Sequence, residues 1–178
     1  MVSPEARLET RDKLHITLQF IGDFDESRSG YLFESTAEVL ESEKHRSSST
    51  KITGIHYFPG LRVRRGIWLD AEDGGSLGGI ADSIKQATAG FGVLPEERAF
   101  VPHITIARLR NLHHGSEFEK RQTFPDLEKF WAEGKFSVEQ FFPTSVALFE
   151  STLNPGGSRY RILREFQLEQ GRRDPSVG

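Results

Sequence analysis

The chain contains no cysteine, which excludes disulfides, thiolate nucleophiles and cysteine-ligated zinc or iron–sulfur centres. It lacks an apolar run long enough to span a bilayer. Its first thirteen residues, MVSPEARLETRDK, do not follow the charged-then-apolar order of a secretory signal. The expected setting is the cytoplasm, with no membrane partner. A basic surplus is also missing: Lys and Arg number 23 against 26 Asp and Glu, for a net charge of −3. That balance argues against binding that tracks a long phosphate backbone, and leaves a nucleic-acid end or a nucleotide open as a ligand. Absent too is a phosphate-cradling glycine loop. Gly74-Gly75 and Gly78-Gly79 have neither the Walker lysine nor the dinucleotide-fold spacing, and read as loop and helix-start residues. No carboxylate is placed beside a histidine by a recognisable metal motif, so neither a metal nor another cofactor is expected.

What remains is an ordinary globular composition, with 36% hydrophobic and 28% charged residues in 178, enough for one domain or two small packed lobes. Residues 14–20, LHITLQF, alternate apolar and polar and predict a half-buried strand. Leu14, Ile16, Leu18 and Phe20 would face the core and His15, Thr17 and Gln19 the other side. A helix is expected over 29–43, on a stripe of Leu32, Phe33, Thr36, Val39 and Leu40, followed by a polar loop over 41–50. Strands over 52–58 and 67–71 resemble a hairpin around Pro59-Gly60 and the basic Arg62, Arg64 and Arg65. Leu77, Ile80, Ile84 and Ala87 predict a second helix ending near Gly90. Residues 100–109 return to strand, and 126–133 suit a short helix with Leu127, Phe130 and Trp131 inward, Pro125 near its first turn. Strands over 146–150 and 160–168 are joined by the turn-forming Asn154-Pro155-Gly156-Gly157, and 171–178 reads as a mobile tail. Helices and strands in this order suit an α+β fold more than a doubly wound parallel sheet.

One short repeat stands out, His15-Ile16-Thr17-Leu18 and His103-Ile104-Thr105-Ile106. A single strand histidine is most simply a hydrogen-bonded structural residue. Two, each followed on the same face by threonine and backed by an apolar face, present polar groups on rigid elements expected to oppose each other across a cleft. Imidazole titrates near neutrality, so one can take a proton from water while the other gives one to a leaving oxygen. Threonine hydroxyls can donate to the nonbridging oxygens of a phosphodiester, and a cyclic phosphate holds its leaving oxygen close without a metal. Arg108 follows the second motif and suits phosphate or nucleotide contact, yet strict alternation from His103 sends it to the opposite face unless a bulge intervenes. Phe58 and Tyr160 are candidates for stacking on a base, or for packing. His56, His113 and His114 have no matching threonine and fall outside the site.

The two His-x-Thr-x motifs, with LHITLQFIGD, ITGIHYFP, RGIWLDAE, FVPHITIARLR and SVALFESTLNPGGSRYRIL in that order, resemble the 2H phosphoesterase superfamily over nearly the whole chain. Within it the resemblance is to the RNA 2′,3′-cyclic phosphodiesterase, or bacterial 2′-5′ RNA ligase, family. It implies a bilobal, LigT-like α+β fold: pseudo-symmetric antiparallel sheets around a central cleft, helices outside, and each lobe supplying one motif. It also implies a monomer acting on RNA termini or small cyclic nucleotides and leaving a 2′-phosphate. His15 would be the proton donor, His103 the proton acceptor, and Thr17 and Thr105 the phosphate-holding residues. Reversible 2′-5′ joining and a nonenzymatic RNA-end or nucleotide-binding module are the alternatives. The family's first strand and helix have no counterpart in the short polar segment before His15, so residues 1–178 are expected to form a two-lobed domain lacking them.

Overall fold

A computed structural model describes residues 6–42, 46–59, 64–93, 99–109, 126–134, 140–154 and 157–170. The expected tail over 171–178, Arg62, His113, His114, Pro125, Pro155 and Gly156 lie outside them. The chain divides into two compact units: Met1–Thr17, Lys51–Glu72 and Pro102–Gln140 form the first, and Leu18–Thr50, Asp73–Val101 and Phe141–Gly178 the second.

The first unit is a four-stranded antiparallel sheet in the order β1 (Ala6–Leu8), β5 (His103–Leu109), β4 (Arg64–Glu72), β3 (Lys51–Pro59). On one face Ile55 and Tyr57 of β3 are about 95% buried, and Ala107 of β5 is fully so. A short helix over Leu127–Ala132, here α3, packs against β3. It begins where Asp126 accepts a hydrogen bond from the Lys129 amide at 2.9 Å, satisfying a donor at the helix start. Phe130 and Trp131 were expected inward, but no residue of this six-residue helix is fully buried and Phe130 is exposed.

The second unit packs α1 (Ser29–Ser42) against α2 (Ser76–Ala89), with α1 also touching β7 (Gly157–Gln167). The α2 stripe is as expected, with Leu77, Ile80, Ile84 and Ala87 buried; of the α1 stripe Leu32, Thr36 and Leu40 are buried, whereas Phe33 and Val39 are only partly so. Thr36 is tolerated there because its hydroxyl donates to the Leu32 carbonyl at 2.8 Å. Leu40, Ile80, Ile84, Val146 and Leu168 form the core. Asp73 starts α2 by accepting from the amides of Leu77 at 2.6 Å and Gly75 at 3.1 Å. Gly74 and Gly75 supply the left-handed φ values of 71° and 99° that this turn needs, so the glycine run is a helix start. β6 (Ser145–Asn154) and β7 (Gly157–Gln167) make an antiparallel pair. The polar stretch expected to be a loop contains β2 (Arg46–Ser47), which pairs in parallel with β8 (Glu169–Gln170).

Two expectations need correction. Residues 14–20 do not form a ladder strand: only Ile16 bridges, to Ile104, and Leu14 and Phe20 are 43% and 75% exposed. The physical reason is that the chain passes between the units at Thr17 and Leu18. Beyond that point Leu18 packs on the second core and Gln19 accepts from the Thr88 hydroxyl at 3.0 Å. The segment before His15 also contains a strand. β1 pairs with β5 from Ala6 to Leu8, and the chain leaves that edge through a 3-10 turn over Arg11–Lys13 before rejoining it at Ile16.

Candidate active site

The His-x-Thr stretches of both motifs, His15–Thr17 and His103–Thr105, fall in the first unit, and Leu18 begins the second. They sit side by side on neighbouring stretches of backbone, joined by the antiparallel bridge between Ile16 and Ile104. Antiparallel register around that bridge sets His15 beside Thr105 and Thr17 beside His103, and alternation turns all four away from the two isoleucines. The patch therefore has imidazoles on one diagonal and hydroxyls on the other, with same-face diagonal neighbours about 7–8 Å apart. All four side chains are partly buried. The His15 ring is fixed by its Nδ1, which donates to the Lys13 carbonyl at 2.7 Å. That bond places a proton on Nδ1 and makes Nε2 the nitrogen suited to exchange one.

The sheet extends this patch across two more strands. Trp68 of β4 is opposite Thr105 and Asp70 is opposite His103, while on β3 His56 is opposite Trp68 and Gly54 is opposite Asp70. Two rows of side chains thus run over one face: His56, Trp68, Thr105 and His15, then Gly54, Asp70, His103 and Thr17. The rings of the face are in contact. Trp68 stacks on His103 with centroids 3.5 Å apart and planes 19° from parallel, and on Phe58 at 3.7 Å and 9°. His56 meets the Trp68 edge at 6.1 Å and bonds through Nδ1 to Asp70 Oδ2 at 3.1 Å. The Asp70 carboxylate reaches His56 over Gly54, where an added Cβ would come within 2.9 Å of Oδ2.

A bulge decides where Arg108 goes. Ile67 is opposite Ala107 but Trp68 is opposite Thr105, leaving Ile106 without a partner on β4. That extra residue resets the alternation: Ala107 turns into the core and Arg108 returns to the face of His103, in a row with Gly66 and Phe58. Its Nε donates to Glu9 Oε1 at 2.9 Å, with Glu9 only 9% exposed and Arg108 54%. Gly66 permits the close approach, since a Cβ there would meet the Ala107 carbonyl oxygen at 2.8 Å.

His15, Thr17, His103, Thr105, Arg108 and Phe58 are therefore brought onto one sheet face. Tyr160 is not among them: it belongs to the second unit, on β7, edge-on to Phe149 at 6.1 Å. His56, set outside the site by its lack of a threonine partner, lies on this face, as do Trp68, Asp70 and Glu9. The signal for the first three was available in RGIWLDAE and ITGIHYFP, whose polar and aromatic positions alternate against apolar ones as those of the motifs do. Among the described residues no group of three His, Asp or Glu side chains could hold a metal ion, and no helix is long and apolar enough to cross a membrane.

Residues 4–142 match the family model of the 2′-5′ RNA ligase superfamily. The chain is 28% identical over 157 residues to the RNA 2′,3′-cyclic phosphodiesterase of Aquifex aeolicus, covering 87% of this chain and 78% of that one. It is 33% identical over 155 residues to the enzyme of that name from Bacillus subtilis, covering 86% and 76%. Among solved structures, TT0787 of Thermus thermophilus superposes with a TM-score of 0.69 at 21% identity, over 95% of this chain and 85% of that one. Escherichia coli LigT complexed with 3′-AMP does so with a TM-score of 0.68 at 23% identity and the same coverage. At these identities the structural likeness speaks for the α+β, LigT-like fold.

Proposed function

From the premise that the chain belongs to the 2′-5′ RNA ligase superfamily, we propose that it hydrolyses 2′,3′-cyclic phosphodiesters, at RNA ends or on nucleotides, to 2′-phosphates without a metal. The observation that carries this reading is the bridge between Ile16 and Ile104, which sets His15 beside Thr105 and Thr17 beside His103. Relatives named RNA 2′,3′-cyclic phosphodiesterase supply the substrate class.

A phosphate lying over the patch has an imidazole on each side and a hydroxyl at each remaining corner. His103 takes a proton from water as it attacks phosphorus, and His15, charged and protonated at Nε2, gives its proton to the leaving 3′-oxygen. The Lys13 carbonyl supports that charge and keeps the ring from turning. Thr17 and Thr105 donate to the nonbridging oxygens as negative charge builds on them. Arg108, steadied by Glu9, adds a cation at the edge of the same face. Both faces of the Trp68 indole are occupied, by Phe58 and His103, so a base cannot stack on it. Phe58 remains the ring of this face suited to that contact. A 5′-hydroxyl in place of water turns the same chemistry into 2′-5′ joining, and the product linkage separates the two.

The test is incubation of 2′,3′-cyclic nucleotides with the folded protein and EDTA. Nucleoside 2′-phosphate is expected, and His15→Ala or His103→Ala should each slow its release about 10²–10⁴-fold. Absence of turnover, or turnover that EDTA abolishes, defeats the reading.

A further inference from the structure

We propose that Trp68 is a positioning residue for His103, one ring of a strut in which Phe58 backs the indole and the indole fixes the plane of the imidazole. The proposal rests on the reaction assigned above and names a residue that reaction does not itself require.

Three observations converge on it. Trp68 and His103 are stacked at 3.5 Å and 19° from parallel, a contact that leaves the imidazole little room to rotate about its side-chain bonds. Phe58 lies on the opposite side of the indole at 3.7 Å and 9°, so Trp68 cannot swing away from His103 without displacing a second ring. The register makes the stack possible. Phe58 is opposite Gly66 and His103 is opposite Asp70, so each reaches Trp68 diagonally from a flanking strand.

The arrangement also answers a requirement of the chemistry. His15 has a backbone carbonyl, that of Lys13, to set its ring. Ring stacking on Trp68 is an orienting contact that the geometry provides for the second imidazole. A base must present its nitrogen to water within a few tenths of an ångström, and about 1 Å of misplacement costs on the order of 10²-fold in rate.

The effect should fall on kcat. Trp68→Leu removes the flat surface and is expected to lower kcat on a 2′,3′-cyclic nucleotide about 10–10²-fold, with KM little changed because the indole's faces are not open to substrate. Trp68→Phe keeps a ring and should recover most of the loss. A readout independent of turnover accompanies them. In proton NMR spectra of the unmodified protein, the His103 carbon-bound ring protons, assigned by comparison with His103→Asn, should be shifted upfield by the indole. The shift should shrink in Trp68→Leu and persist in part in Trp68→Phe. His103 ring protons at unshifted positions in the unmodified protein would overturn the strut whether or not any variant folds. Unchanged kcat in a folded Trp68→Leu, or a loss carried by KM alone, would overturn its role in positioning. A protein with shifted His103 signals but no cyclic-phosphate turnover would retain the strut and reject the reaction.

Discussion

Two glycines on this sheet face should respond to the same added methyl in opposite ways, because different atoms stand in its path. At Gly54 a Cβ would come within 2.9 Å of Asp70 Oδ2, and at Gly66 within 2.8 Å of the Ala107 carbonyl oxygen. The distances are nearly equal, and neither glycine has the positive φ that would strain an alanine. The first obstacle is the tip of a side chain, which can rotate away at the loss of its bond to His56. With His56 and Asp70 39% and 35% exposed, that bond contributes about 0.5–1 kcal/mol. Alanine also restricts the unfolded chain, a gain of about 0.4–1 kcal/mol. Gly54→Ala should therefore change stability by less than about 1 kcal/mol in either direction. The second obstacle is backbone at the bulge where β4 meets β5, and strands cannot separate there without breaking ladder bonds. Gly66→Ala should cost about 1–3 kcal/mol, as overpacking does. Urea unfolding of both variants measures this directly. A cycle with Asp70→Ala sharpens the test: without the carboxylate, Gly54→Ala should be stabilising, whereas Gly66→Ala should cost the same as before. A Gly54→Ala loss above about 3 kcal/mol, or a harmless Gly66→Ala, would refute the assignment of the obstacles.

Ile80 is fully buried in the second unit's core, so Ile80→Ala should cost about 2–5 kcal/mol and shift the urea midpoint at an unchanged slope. Arg108→Ala strips the nearly buried Glu9 of the partner at 2.9 Å and should cost about 1–3 kcal/mol, recovered in part by Glu9→Gln; a loss of rate that this second change does not recover would separate substrate contact from structure. The hydrogen bond and charge of Arg161 hold the Glu150 carboxyl below its usual range. A depressed carboxylate contributes stability that is fully present above its unfolded value, 4.5, and is lost as pH falls through the lower folded one; carbon NMR titration should show this midpoint rise in Arg161→Gln. Nitrogen NMR of neutral His15 should report the Nδ1-protonated tautomer, and a dominant Nε2-protonated form would remove the Lys13 carbonyl as its orienting partner.

Helices were the most legible part of the fold. A stripe such as Leu77, Ile80, Ile84 and Ala87 repeats over several turns, and all four are buried. The two motifs were equally plain, because His-x-Thr recurs in a chain of six histidines. What alternation misjudged was the strand around His15. LHITLQF has the pattern of a continuous strand, but the pattern does not record that the chain changes units after Thr17. Leu18 keeps an apolar environment by entering a different core, while Leu14 and Phe20 remain exposed. His56 and Trp68 were missed for a related reason. Their place in the site depends on which strands become neighbours, and that is settled by pairing between distant segments, not by any local pattern.

The irregular positions are where the site departs from a plain sheet. Had β5 kept strict alternation, Arg108 would point into the core beside Tyr57 and Ile67, and Ala107 would stand on the open face; the unpaired Ile106 exchanges them. Had the first segment continued straight from β1, it could not have brought His15 to Thr105. Leu8 pairs with Ala107 and the Glu9 amide with the Ile106 carbonyl, so only the turn over Arg11–Lys13 lets residues 14–17 arrive in register with 103–105. That turn also supplies the Lys13 carbonyl that sets the His15 ring. One excursion thus fixes both where the first histidine stands and which of its nitrogens is protonated. A variant that shortens residues 10–14 by one should keep β1 paired and still lose the reaction, since the slip would exchange the faces of His15 and Ile16.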